Sequence, residues 1–297
     1  MTAKVYELVT NAIIEQLEKV QANDWRKPWF NIGSSPMNAI SKKSYRGINT
    51  IMLSNKPYNS NLYASFKQWK EKDCTVNKGE KGHVVVFWNF GENEDTNGDK
   101  HSFAYCKHYY VFNSEQVTGD WAREQETNKA KLNPNEIHEN AQRICDYYLA
   151  NERIKLGISD RACYSPSEDR IQMPLIGQFK SNEDFYSTFF HEIGHSTGKD
   201  TRLKRDLTGR FGSSDYAQEE LVAEFTAAML CGSIALSQTP RLDHAQYIAN
   251  WLQRLKSDKT YAIKAASQAQ KAVDFVNAAV ENYEAFLIRQ QDERKQA

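Results

Sequence analysis

The pentapeptide His191-Glu192-Ile193-Gly194-His195 constrains this chain more than any other stretch. On a helix, residues four apart stand one above the other, so both imidazoles face the same way and can reach one ion. The glutamate between them projects to another side, where a carboxylate can act as general base on a metal-activated water. The pattern therefore demands a helix, and its surroundings supply one. Ser181-Asn182-Glu183-Asp184 reads as a capping box. Phe185, Phe189 and Phe190 recur at helical spacing, and Thr197-Gly198 reads as a helix stop. The competing reading is two surface histidines on an ordinary amphipathic helix.

A metal site of this kind needs a third protein ligand. The next acidic helix begins at Asp215-Tyr216-Ala217-Gln218-Glu219-Glu220 and runs to about Leu236. Glu220 and Glu224 are four apart and share a stripe with Ala217, Ala227 and Ala228, small residues that admit a close neighbour. Leu221, Val222, Phe225 and Met229 make the rest apolar. Carboxylates in such company need a cation or a metal-bound histidine as partner. We assign Glu220 as the third ligand and Glu224 as the carboxylate behind a histidine. Spacing alone does not separate the two roles, and a solvated acidic face is the alternative.

At 297 residues the chain is long enough for two domains. Five cysteines (Cys74, Cys106, Cys145, Cys163, Cys231) are scattered without a CxxC pair. That spacing fits a reducing cytoplasm and excludes a cysteine-based zinc site or a disulfide framework. No apolar run reaches the length of a membrane span, and no signal-peptide pattern opens the chain, so a cytoplasmic protein is expected. Val5, Leu8, Val9, Ile13, Leu17 and Val20 instead predict an amphipathic helix over 3–21.

Strands are predicted from His83 to Phe90 and from Ser102 to Phe112, around a polar Asn-Gly loop at 93–100. Residues 122–134 are polar and weakly patterned. The expected organisation is a first domain over 1–120, a linker over 121–134 and a second domain over 135–297. The second should be mainly helical apart from a hairpin around Ser167-Glu168-Asp169. The fold class is α+β in both domains.

Charge is uneven. Residues 19–90 carry twelve lysines and arginines against four acids, an excess of eight in a chain that is neutral overall. Trp25, Trp29, Phe30, Tyr45, Tyr58, Tyr63, Phe66 and Trp69 interleave with them. Cations neutralise phosphates and flat rings stack on unpaired bases, which favours single-stranded nucleic acid. The candidate contacts are Trp25, Arg26, Lys27, Trp29, Lys42, Lys43, Tyr45, Arg46, Lys78 and Lys81. Trp29 and Trp69 read equally well as packing residues, and the charge excess as a solvated face.

Several runs carry a family resemblance. Trp25-Arg26-Lys27-Pro28-Trp29, Pro36-Met37-Asn38, Tyr45-Arg46-Gly47-Ile48-Asn49, Lys78-Gly79-Glu80-Lys81-Gly82 and Tyr110-Val111-Phe112-Asn113 resemble the N-terminal domain of ArdC-type antirestriction proteins, a domain also similar to part of conjugative-plasmid primases. Tyr164-Ser165-Pro166, Asp169-Arg170-Ile171, Met173-Pro174, Phe179, the HEIGH motif with Thr197-Gly198, Arg202-Leu203, and Tyr216-Ala217 with Glu219 to Glu224 resemble the zincin-like metallopeptidase domain that follows it. The resemblance implies a single-stranded-DNA-binding protein that protects incoming conjugative DNA from host restriction. It also implies a gluzincin-like domain holding Zn2+, or another divalent ion such as Mn2+, but not what that domain acts on; a host restriction component or other protein substrate is the further partner expected. In zincins the strand before the active-site helix often takes up extended peptide along its edge. Here that strand is Asp169 to Met173. Two classes of function follow: a DNA-binding protein with a working peptidase, or a pure binding protein whose metal serves folding.

Overall fold

In the first half of the chain, α1 (Thr2–Asn23) is followed by β1 (Met37–Asn38), α2 (Ile48–Ser54), β2 (Leu62–Ser65), α3 (Phe66–Lys70), β3 (Thr75–Val76), β4 (His83–Glu94), β5 (Lys100–Asn113), β6 (Val117–Thr118) and α4 (Asp120–Thr127). The second half runs α5 (Pro134–Glu152), β7 (Lys155–Ile158), β8 (Cys163–Ser165), β9 (Arg170–Met173), α6 (Asn182–Ser196), α7 (Ser214–Ser233), α8 (Ala245–Ser257) and α9 (Tyr261–Gln296). This computed structural model describes residues 2–23, 34–54, 56–94, 100–127, 134–208, 214–237 and 245–296. Among them no helix is long and apolar enough to cross a membrane.

The first-half sheet has the order β1-β2-β5-β4. β1 is parallel to β2, and the long β4–β5 hairpin is antiparallel, with His83 opposite Val111. Side chains alternate between faces. On one face Val85 and Val111 pack with Leu53 and Tyr63. On the other, Val86 and Cys106 join the main core beneath α1. Of the predicted apolar stripe of that helix, Val5, Val9, Ile13 and Leu17 are buried and Leu8 is half-buried, while the Val20 side chain lies outside those described.

That core does not stop at the expected boundary. Ile48, Ile51, Met52, Val86 and Cys106 share one cluster with Tyr148, Phe189, Val222, Trp251 and Val276. Nor is the expected linker without structure. α4 occupies its first part, and Ala122 packs beside Trp69 and Cys74. The boundary marks a change of sheet within a shared core.

In the second half, β9 is the middle strand of a sheet ordered β7-β9-β8. β7 pairs with it in parallel and β8 antiparallel. This corrects the expectation that Asp169 to Met173 offers an open edge, because both edges of that strand are already paired. β7 escaped the sequence reading because it is short and half out of the core, with Leu156 55% and Ile158 76% exposed. Among the described residues, the free edges belong to β7 and β8.

Candidate metal centre

α6 begins as its sequence demands. Ser181 Oγ accepts the Asp184 backbone N–H at 3.2 Å, and the helix ends at Ser196 with Thr197 as its cap. Tyr186, Phe189, Phe190 and Ile193 are buried. The same packing carries His191 and Glu192 inward, each only 4% exposed.

α7 brings the carboxylates, and a single glycine sets how near it comes. A Cβ built on Gly194 would stand 3.1 Å from Ala223 Cα and 3.3 Å from Ala223 O. Glycine on one helix and alanine on the other let the backbones nearly touch. Ala217, Ala227 and Ala228 are buried as well, but the residue at the crossing is Ala223.

The result is a triangle of donor atoms. His191 Nε2 and His195 Nε2 are 3.0 Å apart. Glu220 Oε2 is 3.5 Å from the first and Glu220 Oε1 is 3.4 Å from the second. An ion held tetrahedrally at roughly 2.0–2.1 Å separates its ligand atoms by about 3.3 Å. His191, His195 and Glu220 therefore fit such an ion.

Behind each histidine stands a further carboxylate. His191 Nδ1 lies 2.9 Å from Glu224 Oε1. His195 Nδ1 lies 3.1 Å from Glu219 Oε1. A carboxylate at Nδ1 holds the proton there and leaves the Nε2 lone pair free for a metal. Glu219 is itself clamped by Arg205, whose Nε and Nη2 each donate to one of its oxygens at 2.8 Å. Arg205 also donates to Gly194 O at 2.7 Å and to Thr197 Oγ1 at 2.8 Å, tying the acid to the helix that carries the histidines. The structure brings Glu224, expected behind a histidine, against His191, and adds Glu219 and Arg205, which no sequence pattern singled out. The available signal was the vicinal Glu219-Glu220 pair, since two adjacent acids on a buried helix need two cationic partners.

Charge makes the same point. Glu192, Glu219, Glu220 and Glu224 are all buried, and Arg205 is paired with Glu219 among them. Burial disfavours the charged imidazole, yet the carboxylates of Glu220 and Glu224 outweigh it and raise the pKa of His191. Glu219 and Glu220 raise His195 further against the same penalty. Burial would raise the Glu220 carboxyl, but the two imidazoles pull it far below the ordinary range. A divalent cation at the triangle would supply the positive charge this cluster otherwise draws from protons.

The residues expected on DNA scatter more widely. Trp25, Arg26, Lys27 and Trp29 lie outside the described residues. Lys42, Lys43, Arg46, Lys78 and Lys81 are exposed. Tyr45 is half-buried, edge-on to Tyr63 with ring centroids 6.4 Å apart. Trp69 is a fully buried core residue. Among the described residues of the first half, the large exposed rings are Phe66 (57%), Phe87 (37%), Tyr109 (39%) and Tyr110 (49%), of which only Phe66 is among the rings read as interleaving with the charges. Phe87 and Tyr109 sit on one sheet face with ring centroids 5.7 Å apart.

Comparison with known proteins agrees with both halves. Residues 3–112 match the family model for the N-terminal domain of the anti-restriction factor ArdC, and residues 139–268 match a zincin-like metallopeptidase model. An uncharacterized Sinorhizobium fredii protein, y4eC, is 38% identical over 294 residues, covering 92% of each chain. The metal-free crystal structure of the antirestriction protein ArdC from the R388 plasmid is 35% identical. It covers 93% of this chain and 98% of that one, with a TM-score of 0.74. The chain belongs to the ArdC antirestriction family. The Mn(II)-bound form of the same R388 protein aligns with a TM-score of 0.71. Two Escherichia coli DNA primases, both TraC, are 34% and 32% identical over 296 residues, and the match spans only 27% and 20% of their lengths.

In this ArdC-family chain the groups flanking the centre are already committed. Arg202, one of the residues that carry the family resemblance, has a side chain only 3% exposed. It bonds Asp169 through both oxygens at 2.9 and 3.0 Å, Glu152 at 2.9 Å and Ser196 O at 3.0 Å. Tyr164 donates to Asp169 at 2.8 Å. Tyr216 is half-buried against the core. The Arg202 network instead pins the β8–β9 turn to α5 and to the end of α6. It leaves β8 as the edge strand on α6, where Cys163 is exposed and the charge of Glu192, after burial, adds to the upward shift of the Cys163 thiol.

Proposed function

We propose that this chain binds single-stranded DNA through its first half and protects incoming conjugative plasmid DNA from host restriction. Its second half works as a zinc-dependent peptidase. The observation that carries the second part is the HEIGH glutamate. Glu192 is buried on the helix that carries His191 and His195, although a purely structural site has no use for a fourth carboxylate. When bound, the ion supplies Lewis acidity toward a carbonyl and lowers the pKa of a water. His191, His195 and Glu220 would hold it. Glu224 and Glu219 orient the two imidazoles, and Arg205 fixes Glu219. Glu192 accepts the proton of the attacking water and returns it to the leaving amine. An extended peptide pairs along the open edge of β8.

The first part rests on exposed cations and exposed rings in one half of the chain, together with its family. The second reading, a binding protein with a structural ion, is favoured by one feature: the donors sit at the core crossing of α6 and α7, where an ion also clamps the helices. A Glu192→Ala variant separates the readings. It should keep its metal and its DNA affinity. In a conjugative transfer assay into a restricting host, loss of protection supports the peptidase, and full protection supports the binding protein.

A further inference from the structure

Between the first-half sheet and helices α7 and α9 lies a cavity of about 680 Å³. Small-molecule sites span roughly 300–1,000 Å³. Its lining divides by chemistry. Leu62, Met229 and Val273 are apolar. Lys42 and Arg46 are exposed cations among the lining residues, and Tyr45 lies between them in sequence.

Asn61 is the polar residue to explain. It lines the cavity, is only 5% exposed, and spends its amide N–H on Ser35 O at 2.8 Å. Its Oδ1 is a buried acceptor without a hydrogen-bond partner among the described residues. An acceptor left so bears an uncompensated desolvation cost. The cations are held lightly. Arg46 pairs with Asp274 at 2.6 Å, but the two side chains are 63% and 46% exposed, and such a pair is worth little. Lys42 reaches Gln125 and lies 5.7 Å from the Trp121 ring. Both can turn to a phosphate at small cost.

A ligand that answers all of this has a flat, largely apolar ring, an N–H donor on its edge and a nearby phosphate. That is a nucleotide. The rings around the cavity fit the same ligand. Tyr45 packs on Tyr63, and Tyr63 shares the sheet face that continues outward to Tyr109 and Phe87. We propose that this cavity receives one unpaired nucleotide of a bound DNA strand, its base N–H on Asn61 Oδ1 once the buried amide turns toward the cavity, and its phosphate at Lys42 and Arg46. The proposal rests on the reading of the first half as a single-stranded-DNA surface. Every base carries an N–H donor on its pairing edge, so the site is tolerant of sequence. It rejects duplex because that edge is then occupied.

The test uses the full chain, a labelled oligothymidylate followed by anisotropy, and thymidine monophosphate as a competitor. Asn277 is exposed on α9 and lines the cavity, so Asn277→Trp obstructs it without touching the core. Asn61→Leu removes the acceptor at constant size. Both variants should lose about tenfold in oligothymidylate affinity, as for one stacked base. The monophosphate should displace the strand weakly from wild type and not bind Asn277→Trp. An Asn277→Trp protein that melts like wild type and binds oligothymidylate equally well overturns the proposal. So does tight monophosphate binding with strand affinity unchanged by either variant, which would mark a site for free nucleotides. If wild type binds no oligothymidylate at all, the single-stranded-DNA reading itself fails and takes the inference with it.

Discussion

The metal centre and the exposed sheet face solve opposite problems. At the centre, four acids and His191 are buried, His195 and Arg205 are nearly so, and contacts are braced by one another: Arg205 on Glu219, Glu219 on His195, Glu224 on His191. On the sheet face, Phe87 and Tyr109 lean on one another, and the nearby cations stand in water. A buried polar cluster fails as a unit when one member is removed, whereas exposed contacts are lost one at a time. The comparison teaches that a mutation in the second half should change metal, stability and chemistry together. In the first half, affinity should change while the fold stays intact.

The largest effect should come from His195→Ala. It removes a donor and takes one of two cationic partners from each of the buried Glu219 and Glu220. Metal should be absent by elemental analysis and the melting temperature should fall. A variant that keeps stoichiometric metal would break the picture of a three-donor centre. Next comes Arg202→Ala, which leaves Asp169 and Glu152 without their buried partner and should cost about 3–5 kcal/mol in denaturant unfolding. Because Arg202 braces the frame and touches no donor, residual folded protein should still bind zinc.

Smaller changes probe the outer carboxylates. Glu224→Ala and Glu219→Gln should each weaken metal binding by roughly 10–100-fold without abolishing it. Complete loss in Glu224→Ala, with Glu220→Ala retaining metal, would reverse the ligand assignment. On the sheet face, Phe87→Ala and Tyr109→Ala should each cost about 1–3 kcal/mol in single-stranded-DNA affinity. Their unfolding should stay cooperative at the wild-type midpoint. A large loss of stability would mean that these rings are structural.

Acid should separate the two halves by window. Burial, aided by the charge of Lys56, holds His83 down to about 4 from an ordinary 6.5. Its neutral form is the one folded, so the unfolded chain binds the proton first. Stability from this residue is complete above pH 6.5 and is lost as pH falls toward 4. Asp169 is opposed by its own burial but drawn down to about 2 by Arg202, Lys199 and Tyr164. Its contribution is intact above the unfolded value near 4 and disappears as pH drops toward 2. Unfolding free energy measured against pH should lose the upper slope in His83→Gln and the lower slope in Asp169→Asn.

These differences also explain what could be read in advance. His191, Glu192, His195, Glu220 and Glu224 announced themselves because helical spacing converts sequence distance directly into geometry. The amphipathic pattern of α1 was legible for the same reason. Glu219 and Arg205 were not, since their partnership spans a turn whose path no periodicity encodes. β7 hid because a short, half-exposed strand has no alternation to detect, and missing it made β9 look like an edge. Phe87 and Tyr109 hid because buried and exposed positions on β4 and β5 alternate with equal hydrophobicity. The shared core was invisible because linker composition reports on solvent exposure and says nothing of how helices on either side pack.

The most direct test of a buried, metal-braced second half is a thermal melt of the full chain in chelator, repeated with added zinc and paired with metal analysis. The centre described above predicts one bound ion and a clear rise in melting temperature with zinc, present in Glu192→Ala and absent in His191→Ala, His195→Ala and Glu220→Ala. A protein that takes up no ion and melts identically in chelator and zinc would contradict it.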